Sequence, residues 1–171
     1  IAGAQAWGLF EHTHLRNGGA DGNQSALVLS EASSAAFVSG RVEASSANGL
    51  RAAGGSKLSV IGSTVSGSGG NGVHFDGGSE LRLVDSSFSA NSEYAVFGDG
   101  LSPVIAGNTF MGSYGVFLNR EQVIDFSSNT FRDVSQVVFR GSAGVSLLGW
   151  ENTTFSGTTT GGVELLSGTM T

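Results

Sequence analysis

One short pattern returns along this chain at intervals of just over twenty residues, and it limits what the chain can fold into. IGSTVSG ending at Gly67, VDSSFSA ending at Ala90, AGNTFMG ending at Gly112, SSNTFRD ending at Asp133 and ENTTFSG ending at Gly157 are variants of one segment. Their apolar anchors, Val65, Phe88, Phe110, Phe131 and Phe155, are 23, 22, 21 and 24 residues apart. Val42 lies 23 residues before Val65, and Leu15 is the candidate anchor before that. A unit this short cannot bury an apolar face alone, but stacked copies bury a continuous one.

A second family of segments interleaves with the first: SALVL from Ser25, NGLRA from Asn48, NGVHF from Asn71, YAVFG from Tyr94, YGVFL from Tyr114, QVVFR from Gln136 and GGVEL from Gly161. Five and seven residues before the anchors stand further inward candidates: Ala35 and Phe37, Leu58 and Val60, Leu81 and Leu83, Pro103 and Ile105, Ile124 and Phe126, Leu148 and Trp150. Apolar residues two apart mark strands, and no stretch keeps helical spacing for three turns. Each period therefore supplies three short strands around a common interior, and each strand pairs in parallel with its equivalent one turn away. Neighbouring rungs lie roughly 4.8 Å apart. Gly40, Ser63, Ser86, Asn108, Asn129 and Thr153 precede the anchors by two residues, where side-chain oxygens in register satisfy backbone groups of the turns.

The segment NGVHFDGGSELRLVDSSFSAN (Asn71 to Asn91) and its copies resemble the repeats of right-handed parallel β-helix proteins, the pectate-lyase-like architecture. The resemblance covers nearly the whole chain. It implies an all-β, right-handed parallel β-helix (solenoid) of about seven rungs of 20–25 residues. The expected organisation is a single β-helix domain over residues 1–171, as a module of a longer protein or an assembling subunit. The opening IAGAQAWG, without an initiator Met or a signal peptide, reads as a mature or excised piece. The resemblance brings no single function, since the family includes pectate lyases, polygalacturonases, alginate epimerases, phage tailspikes and adhesins.

Composition removes several classes of function. Eight basic against fourteen acidic side chains give a net charge of −6, which disfavours nucleic acid as a partner. No apolar run approaches the length of a membrane span, and the absence of cysteine excludes a disulfide scaffold and a Cys-based zinc site. Low charge and Ser/Thr/Asn/Gly-rich turns suit an extracellular or cell-surface setting.

With Val73 and Phe75 inward, outward positions align into columns. One is expected to read Val28, Arg51, His74, Phe97, Phe117, Phe139, Glu164. Phe97, Phe117 and Phe139 then form an outward aromatic strip that stacks on sugar rings or buries against a partner protein, unless a slip of one residue puts them in the core. A small-residue column, Gly49, Gly72, Ala95, Gly115 and Gly162, is expected beside it. Asp76 and Asp99 fall on adjacent rungs, with His74 and Arg51 beside them. Carboxylates roughly 5 Å apart favour sharing one proton, as acid–base chemistry on a glycoside requires. The same pair, with Asn119, offers oxygen ligands to Ca²⁺; no other cofactor or metal is expected. His12 and His14 are expected to share a strand face, without a third ligand at a predictable distance.

Three readings follow. The leading one is a non-catalytic surface module binding polysaccharide or a partner protein along the strip, with Arg51 and Asn119 at its margins. The second is a polysaccharide lyase, epimerase or hydrolase acting through Asp76, Asp99 and His74. The third is a structural spacer or filament subunit that self-associates end to end or laterally. Short connections leave a surface rather than a walled cleft, which favours binding over catalysis.

Overall fold

The structure, a computed structural model, describes residues 1–3, 5–19, 24–112, 114–120, 122–134, 138–142, 144–157, 162–165 and 168–170. Gln136 and Gly161, which open two of the repeated segments, lie outside them. The chain coils through short strands that fall into three parallel sheets of eight, seven and seven strands. The first sheet opens with Trp7–Glu11, Ser34–Val38, Lys57–Ile61 and Glu80–Val84. The second includes Arg41–Glu43, Thr64–Ser66, Ser87–Ser89 and Thr109–Met111. The third includes Leu50–Ala52, Val73–Phe75, Tyr94–Gly98 and Tyr114–Asn119. Seven stacked strands are joined by six rung-to-rung steps, so the coil makes about six turns, slightly fewer than the spacing predicts.

The anchors stack as the repeat requires. Leu15, Val42, Val65, Phe88, Phe110, Phe131 and Phe155 form one continuous ladder through the second sheet. The rings of Phe88, Phe110, Phe131 and Phe155 lie nearly parallel, with successive centroids 5.3, 4.8 and 5.7 Å apart. Of the other inward candidates, Ala35, Phe37, Leu58, Val60, Leu81, Leu83, Ile105, Ile124 and Phe126 are buried in the same core. This apolar interior is the main favourable term in the fold.

The last pair departs from the pattern. Leu148 is exposed, while Val145 and Leu147 are buried and pair with Gln122 and Ile124. Gly149, at φ 75°, adds one residue before the short 3₁₀ turn Trp150–Asn152, so counting back from Phe155 lands one position late. Trp150 is partly buried and stacks on Phe126 at 5.3 Å.

Buried polar side chains hold the turns in register. The Gly40 amide donates to Ser63 Oγ, the Ser63 amide to Ser86 Oγ, the Ser86 amide to Asn108 Oδ1 and the Asn108 amide to Asn129 Oδ1, all at 3.0–3.1 Å. Asn108 Nδ2 donates onward to Leu83 O and Ala106 O. A polar row inside an apolar solenoid is tolerable because it is hydrogen-bonded in this way.

Candidate functional site on the outer face of the third sheet

Parallel register in the third sheet turns single outward residues into columns. The observed middle column runs Val28, Arg51, His74, Phe97, Phe117, Arg140, Glu164. Phe139 is not part of it. Its strand partner is Val116, its side chain is fully buried against Phe126, and Arg140 takes the outward place beside Phe117. From Phe97 to Phe117 is 20 residues but from Phe117 to Arg140 is 23, and counting the shorter interval puts the wrong residue outside.

Phe97 and Phe117 do face outward, and two tyrosines that the column count overlooks join them. Tyr94 and Tyr114 pair across adjacent rungs with ring centroids 5.3 Å apart. Tyr94 lies 5.8 Å from Phe97 and 5.5 Å from Phe117, and Phe97 lies 5.1 Å from Phe117. The recurrence of Tyr at the same place in YAVFG and YGVFL was the available signal. The small-residue column is not an outward one: Gly49, Gly72, Ala95 and Gly115 are buried. A Cβ on Gly72 would stand 2.7 Å from Ala95 O, so the backbones of adjacent rungs approach closely there.

The aromatic set borders a depression of about 610 Å³ lined by Asn48, Asn71, His74, Glu93, Tyr94, Phe97 and Tyr114. One wall is a locked amide ladder. Asn48 Oδ1 accepts from both the backbone and the side-chain nitrogen of Asn71, and Asn71 Nδ2 also donates to Glu93 Oε2 at 2.9 Å. The other end is ionic: Arg51 Nη2 donates to Asp76 Oδ2 at 3.0 Å, and His74 Nε2 lies 3.5 Å from that oxygen. The His74 ring meets Phe97 edge-on at 5.2 Å. Burial pushes the His74 imidazole below its ordinary 6.5, and Arg51 adds to this, while Asp76, Asp99 and Glu93 pull the other way.

A family model described as a right handed beta helix region matches residues 3–160. The chain belongs to the right-handed β-helix family. No curated protein and no solved structure matches it. The match covers every turn that carries the aromatic face, so the columns are those of a right-handed β-helix rung stack.

Other expected site residues fall as follows on this β-helix. Asp76, Asp99 and Asn119 occupy equivalent positions on successive rungs: the Asp99 amide donates to Phe75 O, and Gly98 pairs with Leu118. Asp76 is engaged by Arg51, while Asp99 is exposed, with Arg120 Nη1 3.5 Å from its carbonyl oxygen. Among the described residues no three His, Cys, Asp or Glu side chains form a metal-binding group. His12 and His14 do not share a strand face: His12 sits at a corner with φ 48°, outside His14–Arg16. His14 Nε2 instead bonds Glu43 Oε2 at 2.9 Å. Beyond Phe117, Arg140 is ion-paired with Glu164, which together with Tyr94 holds its guanidinium still more firmly protonated. No helix among the described residues is long and apolar enough to cross a membrane.

Proposed function

We propose that this β-helix is a non-catalytic module that holds a glycan against the outer aromatic face of its third sheet, outside the cell or at a cell surface. The observation that carries this reading is the contiguous set Tyr94, Phe97, Tyr114 and Phe117 beside a shallow polar-walled depression. Aromatic rings left partly open to solvent offer flat apolar surface to the C–H face of a pyranose, and the neighbouring amides and carboxylate supply hydrogen bonds to its hydroxyls. The depression lies within the roughly 300–1,000 Å³ range of small-ligand sites. It is open along the rod, which suits an extended chain. Retention on immobilised polysaccharides tests the reading. Wild-type protein is expected to be retained, and Phe117→Ser and Tyr94→Ala to pass through while still folded. Retention of a partner protein alone, with every glycan failing, would replace glycan by protein as the ligand.

One cluster favours a second reading, polysaccharide cleavage or epimerisation. Arg51, Asp76 and His74 stand at the end of the aromatic face, and His74 touches Phe97. Against it, Asp76 is already committed to the Arg51 guanidinium. Unsaturated product formed from a uronate polymer, and lost in Asp76→Ala with Asp99→Ala, would promote this reading over the first.

A further inference from the structure

We infer that the glycan held by this face is uncharged, and that Glu93 selects it. This inference rests on the glycan-binding reading and narrows it to a class of ligand. The cations near the aromatic set are already engaged: Arg51 by Asp76, Arg140 by Glu164, and Arg120 directed at the Asp99 carbonyl oxygen. Glu93 is different, because it lines the depression itself and its partner is a neutral amide. Its backbone amide donates to Gly70 O and its Oε2 accepts from Asn71 Nδ2, so the carboxylate is fixed with Oε1 available to a ligand. Asn48 spends Oδ1 on Asn71 and keeps Nδ2 as a donor on the same wall. Adjacent sugar hydroxyls both donate and accept, so they match a fixed carboxylate beside an amide donor. A uronate or sulfate group would instead be brought against Glu93, with Asp76 and Asp99 nearby and no free cation at hand, and like charges across an interface oppose binding.

The test compares retention on immobilised neutral polysaccharides (glucans, mannan, galactan and xylan) with retention on polygalacturonate, alginate and a sulfated galactan. The expected result is retention on at least one neutral polymer and on none of the acidic ones at low salt. Glu93 is exposed, so its variants test the ligand rather than the fold. Glu93→Gln is expected to weaken neutral binding about tenfold, the loss of one charge-assisted hydrogen bond. Glu93→Lys is expected to gain retention on the acidic polymers, a gain that fades in about 1 M salt. Wild-type retention on acidic polymers equal to or stronger than on neutral ones would overturn the inference and leave the glycan reading standing. So would neutral binding that Glu93→Gln leaves unchanged. Failure on every polymer with folded protein would overturn the glycan reading itself.

Discussion

The ring of Phe97 lies 5.1 Å from that of Phe117, centroid to centroid, with the two planes 53° apart, on the outside of the coil. Directly behind them in the same strands, Val96 and Val116 are fully buried. The two sides of one ladder thus carry separate tasks, and substitutions should separate them. Phe117→Ser is expected to leave the melting temperature nearly unchanged and to abolish ligand retention. Phe110→Ser, which empties a site between Phe88 and Phe131, is expected to cost about 3–5 kcal/mol. Urea unfolding of the pair, followed by circular dichroism, checks both.

The amide row at the turns should behave as a structural spine. Asn108→Ala removes the acceptor of the Ser86 amide and the donor to Leu83 O and Ala106 O. A buried amide left without a partner costs about 1–3 kcal/mol. Asn108→Ser should be milder, because Ser63 and Ser86 make the equivalent bond to the rung below with a hydroxyl. The order of denaturation midpoints, wild type above Asn108→Ser above Asn108→Ala, is the expected outcome.

Gly98 marks the tightest approach within the strands that build the aromatic face. A Cβ there would stand 2.0 Å from Phe75 O and 2.5 Å from the Phe75 ring. Gly98→Ala must therefore push two rungs apart, at a cost of about 1–3 kcal/mol. Because Phe97 precedes it, the variant should also weaken ligand retention, which a binding assay on the folded fraction would register.

His74 should give the fold a pH dependence of defined sign. Burial holds its folded-state pKa below the ordinary 6.5. As pH falls through that ordinary value the unfolded chain takes up a proton before the folded one, so stability declines on the acid side and is fully present above it. Glu43, lowered mainly by its hydrogen bond from His14, acts in a separate window: its contribution is present above the ordinary 4.5 and is lost as pH falls through its lower folded value. His74→Gln is expected to flatten the stability profile just below pH 6.5 and to leave the more acidic limb in place.

The coil itself was legible because its signal is redundant. Period-two alternation fixed which side of each strand faces in, and the recurrence of Val65, Phe88, Phe110 and Phe131 fixed which strands are neighbours. Errors arose where a rung gains or loses a residue, since a slip of one exchanges inside and outside. Phe139 and Leu148 are both such cases, the second traceable to Gly149. At Leu101–Ala106 a bulge also inserts a residue, yet Pro103 still lies buried, because the extra residue is absorbed within the strand. The aromatic site was half legible. Phe97 and Phe117 follow from strand alternation, but Tyr94 and Tyr114 stand where the strand leaves its turn, and alternation alone does not say which way a turn residue points.

Resonance assignment of the aromatic side chains, followed by titration with a neutral oligosaccharide retained on the immobilised polymers, tests the central claim most directly. The account predicts shifts confined to Tyr94, Phe97, Tyr114, Phe117 and His74, with the buried rings of Phe88, Phe110 and Phe139 unmoved. Shifts centred on the second sheet, or saturable binding that leaves Phe97 and Phe117 unperturbed, would contradict it.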